Sequence, residues 1–236
     1  MIKLTNVRKN FGDFTALKDI SFSIEKGELV YLLGENGAGK TTTMRILSTL
    51  IEHSSGQVII DGEECVHDNI NLKKKIGIVT EDAKPYPQLS PIENMKYFGS
   101  FYHNMVKTND LVDKLVVDLD LDDFKDKKVD TLSKGNRQKV AIANTLIANP
   151  DILILDELMS GLDISTQATI KKLIYNLHND GKTMILSTHH MDEVYEMGNR
   201  VIIINRGRIT YDGHLSDIKE TDSRKYLEDK LTNWER

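Results

Sequence analysis

The chain has a single cysteine, Cys65, among its 236 residues. No intramolecular disulfide can form, and no cysteine-rich zinc site can be built. No apolar run approaches the roughly 20 residues that a membrane-spanning helix needs. The opening residues Met1-Ile2-Lys3-Leu4-Thr5-Asn6 lack the apolar core of a signal peptide. Together these absences lead us to expect a soluble, cytosolic protein that meets a membrane only through a partner. Positive charge is not in excess either. The formal net charge is -5, so no general nucleic-acid-binding surface is expected. There is no internal repeat and no low-complexity segment. The length suits one large domain, or a core with an inserted lobe.

What the chain does have is Gly34-Glu35-Asn36-Gly37-Ala38-Gly39-Lys40-Thr41, an unbroken match to the phosphate-binding pattern G-x-x-x-x-G-K-[ST]. Its glycines allow a tight turn whose backbone N–H groups point inward at phosphate oxygens. Lys40 brings a compact positive charge to the β- and γ-phosphates, and Thr41 offers a hydroxyl to Mg²⁺. Residues 28–33, apolar from Leu29 onward, read as a buried strand entering the loop. Residues 40–51 read as a helix leaving it, with Met44, Leu47 and Ile51 on one face. A helix N-terminus aimed at phosphate adds about half a positive charge.

Residues 1–33 are β-rich. Ile2, Leu4 and Val7 open a strand, Phe11-Gly12-Asp13-Phe14 is a turn, and Phe22 and Ile24 continue a second strand. Phe11 is either a core residue or an aromatic face for an adenine. Residues 56–62 and 76–79 are short strands. The second ends near Glu81, which is either a ligand contact at a strand's carboxyl end or a solvated loop charge. Residues 82–149 turn helical. Ser90-Pro91-Ile92-Glu93 starts a helix with a capping box and a proline in its first turn. Residues 109–119 form a second helix, and 120–130 a charged connector. Ser133 caps the helix that follows, and its exposed N–H groups make either an ordinary helix start or a second anion site.

Ile152-Leu153-Ile154-Leu155-Asp156-Glu157 reads as a central parallel strand, covered on both faces and ending in two carboxylates. Beside a phosphate loop, Asp156 suits Mg²⁺ and Glu157 suits polarising a water. Ser160-Gly161-Leu162-Asp163 is a turn into a helix through Leu177. Residues 183–188 form a buried strand ending at His189-His190. That histidine pair has no Cys or acidic ligands at metal spacing, which argues against zinc. Residues 201–211 form a closing hairpin, and the charged tail from Leu215 is expected to be helical.

Assembled in this order, the motifs resemble the ATP-binding subunit of an ABC transporter, over nearly everything from Met1 to about Gly213. Residues 34–41 are similar to that family's phosphate loop. Leu132-Ser133-Lys134-Gly135-Asn136 is similar to its signature sequence, usually LSGGQ. Residues 152–157 resemble its Mg²⁺ strand with the catalytic glutamate, and 160–163 the loop that touches the opposite subunit. His189 falls at the switch histidine, and Phe11 at the adenine-stacking aromatic. The chain departs from the family at Glu81, where glutamine is usual, at Lys134 and Asn136, where Gly and Gln are common, and at Leu158, where proline is usual.

The resemblance implies an α/β fold: a P-loop NTPase core, with a RecA-like parallel sheet and an antiparallel β subdomain, plus an inserted α-helical subdomain. The nucleotide core takes residues 1–82 and 150–213, the helical subdomain 83–149, and 214–236 is a tail. The implied cofactors are ATP and Mg²⁺. ATP contacts fall to Phe11, Gly34, Glu35, Asn36, Gly37, Ala38, Gly39, Lys40, Thr41, Thr42, Ser133 and Gly135. Metal contacts fall to Thr41, Glu81 and Asp156, and catalysis to Glu157, His189 and Lys40. The implied partners are a second cassette and transmembrane permease subunits, which would hold the protein at the cytoplasmic face of the membrane. Nucleic acid is not expected. Residues 81–94, with Tyr86-Pro87 and Ile92-Glu93-Asn94, look most like those of simple bacterial and archaeal exporters. A soluble scaffold ATPase with one cassette is the alternative. A GTPase would carry an N-K-x-D motif, which is missing. Chromosome-maintenance relatives carry long coiled coils between the two motifs, and no sustained heptads lie between Lys40 and Leu132.

Overall fold

The computed structural model describes residues 1–66, 69–218 and 223–232. In chain order its elements are β1 (Ile2–Phe11), β2 (Phe14–Ile24), β3 (Leu29–Leu33), α1 (Lys40–Leu47), β4 (Ser55–Ile60), β5 (Glu63–Glu64), α2 (Ile70–Lys75) and β6 (Ile76–Val79). Three helices follow, α3 (Pro91–Gly99), α4 (Met105–Asp118) and α5 (Lys134–Leu146). Then come β7 (Ile152–Asp156), α6 (Ile164–Asn179), β8 (Thr183–Thr188), α7 (Met191–Met197), β9 (Arg200–Asn205), β10 (Arg208–His214) and α8 (Ser223–Thr232). Single 3₁₀ turns sit at Val129–Thr131 and Leu215–Asp217.

The strands form two sheets. One runs β10-β9-β3-β8-β7-β6 and is parallel except for β10 at its edge; the other runs β2-β1-β4-β5 and is antiparallel. Burial follows from this difference. Every residue of β3, β7 and β8 is buried, because elements cover both faces of the parallel sheet. In β1, Ile2 and Leu4 are buried while Lys3 and Thr5 are exposed, as expected for a sheet with one wet face.

Alternation along the parallel strands divides the core in two. Tyr31, Leu33, Leu153, Leu155, Met184 and Leu186 pack with the helical side, including Val140, Ala143 and Ile170. Val30, Leu32, Ile152, Ile154 and Ile185 pack with Leu4, Phe22 and Val58 of the antiparallel sheet and with Met44 and Leu47 of α1. Each fully buried Leu or Ile side chain contributes about 1.5–3 kcal/mol against leaving it in water. Helices α3, α4 and α5 enter between β6 and β7. Among the described residues, no helix is long and apolar enough to cross a membrane.

The α/β architecture with its parallel and antiparallel sheets is as the sequence led us to expect. The start of α3 is too: the Ser90 side chain accepts from Glu93 N (3.2 Å), and Glu93 accepts from Ser90 N (2.8 Å). Several boundaries differ. Helix α1 stops at Leu47, not at 51, because Thr49 takes φ = 61°, which no helix tolerates. Ile51 packs on the same core from beyond the helix. Helix α4 begins at Met105, not at 109, because Asn104 caps it by accepting from Lys107 N. Elements β5, α2 and α7 are too short to leave a periodic signal. Of the tail, expected to be helical from Leu215, residues 215–217 form a 3₁₀ turn and Ser223–Thr232 form α8. The remaining tail residues, 219–222 and 233–236, lie outside the described residues.

Gly77 in β6 tests the packing under α5. A Cβ there would sit 2.7 Å from both Pro150 Cγ and Thr145 Cγ2. A glycine-to-alanine change in a compatible strand normally stabilises by about 0.4–1 kcal/mol. Here overpacking outweighs that gain. Gly77→Ala is expected to lose about 1–3 kcal/mol in urea unfolding.

Candidate active site

The first wall of the site is the loop between β3 and α1. Gly34 N donates to Thr188 O at 3.2 Å, which ties the loop to the end of β8. Gly34 passes so close to β9 that a Cβ would lie 2.5 Å from Ile204 O. Gly39 takes φ = 117° at the start of α1, a conformation that needs glycine, and no side chain caps the helix. The first N–H groups of α1 are therefore left to whatever lies in front of them. Lys40 is buried, and its Nζ donates to Gly34 O (2.7 Å) and Glu35 O (3.1 Å).

The second wall is the pair of strand ends at β7 and β8. Ser187 Oγ donates to Asp156 Oδ1 and accepts from Glu157 N at 3.0 Å, and Glu157 N also donates to Ser187 O at 3.2 Å. Glu157 takes φ = 51°, a strained setting for a side chain of that size, and these bonds hold it there. Its carboxylate is gripped on both oxygens. Oε1 pairs with Lys40 Nζ at 3.1 Å, and Oε2 meets His189 Nδ1 at 2.7 Å. Only 5% of the Lys40 side chain and 10% of the Glu157 side chain are exposed. Breaking this buried pair from one side would cost up to about 3–5 kcal/mol, less whatever His189 retains on Glu157 and the Gly34 and Glu35 carbonyls retain on Lys40.

These walls enclose a cleft of about 470 Å³. Its floor is Asn36, Gly37, Gly39, Lys40, Thr41 and Thr42, and its far side is Glu81, Glu157, Ser160 and His189. Its mouth is Phe11, Phe14 and Ala16. Phe11 is half exposed rather than part of the core, with Lys9 Nζ 4.9 Å from its ring centre. Gly34, Glu35 and Ala38 shape the loop from behind without lining the cleft, and Asp156 lies beneath, buried. Ser133 and Gly135 lie outside this lining, at the start of α5, where Ser133 Oγ accepts from Asn136 N at 3.2 Å.

Phe14, Ala16 and Ser187 were not anticipated as site residues. Phe14 was legible in principle: a two-residue turn pairs positions 11 and 14 directly, so their side chains share a face. Ser187 left no signal, since a serine at the end of a buried strand is common.

The fold and the loop with its buried lysine define a nucleoside-triphosphate-binding protein of the phosphate-loop class. Residues 17–160 match the ABC transporter family. The chain is 37% identical over 228 residues to the ABC transporter ATP-binding protein NatA of Bacillus subtilis (strain 168), covering 94% of this chain and 93% of that one. It is 38% identical over 220 residues to the uncharacterized ABC transporter ATP-binding protein MJ1023 of Methanocaldococcus jannaschii, covering 92% and 79%. Among solved structures it resembles the dimeric post-hydrolysis state of the ATP-binding cassette MJ0796 bound to ADP and Pi. There the TM-score is 0.81, the identity 30%, and the coverage 91% of this chain and 98% of that one. This chain belongs to the ABC transporter family, as an ATP-binding subunit with ATPase activity.

Glu193 of α7, one turn past the end of β8, gives the stability of the fold a pH response. Burial pushes its carboxyl above the ordinary range, and the charge of Glu157 adds to this, while Thr188 and His190 oppose it. The folded state thus holds this proton longer than the unfolded chain does. The stabilisation is present below the unfolded carboxylate range and is lost as pH rises through the folded value. Glu193→Gln imitates the protonated form. Thermal melts should show the variant more stable than wild type near neutral pH, with the gap closing toward pH ~4.

Proposed function

We propose that two such cassettes pair head to tail around two ATP molecules, and that their closing and opening drives export through separate transmembrane subunits. The observation that carries this reading is a division of parts. The phosphate loop, Glu157 and His189 share one cleft, while Ser133 at the start of α5 does not line it, and no residue in the first turn of α5 is acidic. A second anion-facing helix end is what a partner's ATP would need. In this reading residues 1–82 and 150–213 form the nucleotide core, 83–149 the helical subdomain and 214–236 a tail. The pair sits at the cytoplasmic face of the membrane, held by its permease. The export direction rests on the likeness of residues 81–94 to exporter cassettes.

The adenine stacks on Phe11, with Phe14 beside it. The loop N–H groups, Thr41 and Thr42 take the phosphates. The γ-phosphate takes the ammonium of Lys40 from Glu157, because a phosphate carries more charge than a carboxylate. Glu157, held at Oε2 by His189, then orients a water in line with the γ-phosphorus and receives its proton as the water oxygen bonds to that phosphorus. The bond from the γ-phosphorus to the β–γ bridging oxygen breaks, and its electrons leave with ADP. Ser133 and Gly135 of the partner stabilise the γ-phosphate from the far side.

The donor set fits Mg²⁺. Thr41 and Glu81 line the same cleft, Asp156 is fixed beneath it by Ser187, and all three offer hard oxygens. Among the described residues, no group of three or more His, Cys, Asp or Glu side chains could hold a metal ion alone. That suits an ion bound mainly by phosphates and one or two protein groups. When bound, Mg²⁺ would neutralise phosphate charge.

Size-exclusion chromatography with ATP and Mg²⁺ tests the pairing. Glu157→Gln should bind ATP, stop turnover and accumulate as a dimer, whereas Lys40→Ala should bind ATP poorly and stay monomeric. Mixing a Lys40→Ala chain with a Ser133→Arg chain should restore ATP-dependent association, because one intact site forms in the heterodimer. If Glu157→Gln turned over ATP at the wild-type rate, the assignment of Glu157 would be wrong.

Glu81 gives a separate test. Two carboxylates beside one Mg²⁺ bind it more tightly than one. Glu81→Gln should shift the Mg²⁺ activation curve to higher concentration, by roughly ten-fold if one carboxylate contact is worth about 1.4 kcal/mol. Superimposable curves would remove Glu81 from the metal site.

A further inference from the structure

Lys134 has no role in the scheme above, and it stands where the family commonly has glycine. It is the first residue of α5, where a cation opposes the helix dipole. Among the described residues it makes no ion pair; its Nζ donates to Ser160 O at 3.1 Å. Gly161 leaves room for this approach, since a Cβ there would sit 2.9 Å from the ammonium. Ser160 in turn lines the chain's own ATP cleft, and its N–H donates to Glu157 O at 3.2 Å. One residue on, Gly135 packs so closely on Thr166 that a Cβ would lie 2.7 Å from its Oγ1. Thr166 is locked to Asp163 through its N–H (2.9 Å) and its hydroxyl (2.8 Å). The start of α5 therefore braces the segment 160–166 at both ends.

We propose that Lys134 is a positioning residue that joins the signature end of α5 to the turn carrying Glu157 in the same chain. This inference rests on the head-to-tail reading. A partner's ATP captured at Ser133 and Gly135 moves the start of α5, and Lys134 passes that displacement through Ser160 to Glu157. The two ATP sites of a pair are thereby coupled through a continuous path of contacts within each chain. A glycine at 134 has no side chain with which to make the link.

Three variants test this: Lys134→Met, which keeps the unbranched stem and loses the donor; Lys134→Arg, which keeps a donor; and Lys134→Gly. In Lys134→Met and Lys134→Gly, amide hydrogen exchange in the 157–163 segment should quicken by about five-fold, the scale of one lost hydrogen bond. Binding of a fluorescent ATP analogue to the isolated cassette should stay within about two-fold of wild type, because the link does not touch the bound nucleotide. The kcat should fall several-fold, and the dependence of rate on ATP should lose any sigmoidal character shown by wild type. Lys134→Arg should restore exchange and kcat. Wild-type exchange and kcat in Lys134→Met would overturn the proposal, as would a loss in Lys134→Arg as large as that in Lys134→Met. The head-to-tail reading fails by a different result: a Glu157→Gln cassette that stays monomeric with ATP, whatever the exchange data show.

Discussion

The site depends on one buried carboxylate. Glu157 sits at the end of β7 with Lys40 on one oxygen and His189 on the other. Each of these three side chains comes from a different crossover of the parallel sheet. Lys40 follows β3, Glu157 follows β7 and His189 follows β8, and in the sheet β8 lies between β3 and β7. Parallel strands put all three carboxyl ends on one edge, which is where α/β sheets gather their ligand contacts. An antiparallel sheet would send neighbouring ends to opposite edges.

Holding a carboxylate in that place requires a turn that a glutamate does not adopt freely. The positive φ of Glu157 is fixed by two hydrogen bonds from its N–H to Ser187. The Ser187 hydroxyl also donates to Asp156, so a single side chain orients the last residue of the strand and the first residue of the turn. The loop opposite is held by its own close contacts, Gly34 against Ile204 and Gly39 against Leu17, where a Cβ would collide. The strain at the site is thus carried by packing at the ends of buried strands.

The motifs were legible because each is contiguous. The loop 34–41 needs its glycines and its lysine at fixed spacing, and β7 shows as an unbroken apolar run because both its faces are covered. The capping box at Ser90 was legible for the same reason: its two hydrogen bonds span three residues. The end of α1 was not, since Thr49 is no helix breaker by type, and only its observed φ stops the helix. Short elements such as α7 leave too few turns for a period to be seen.

By itself, the sequence determined the class of fold, the phosphate loop and the acidic strand end, because hydrophobic period and local spacing are properties of neighbouring residues. The tertiary structure decided which of these meet. It put Phe14 beside Phe11 at the mouth of the cleft, and Ser187 beneath Asp156 and Glu157. It set Lys40 against Glu157 across 117 positions of chain, and left Ser133 outside the cleft with Lys134 on Ser160. Such contacts are fixed by strand order and by the packing of helices on a sheet. Neither is encoded within any window short enough to be read along the chain.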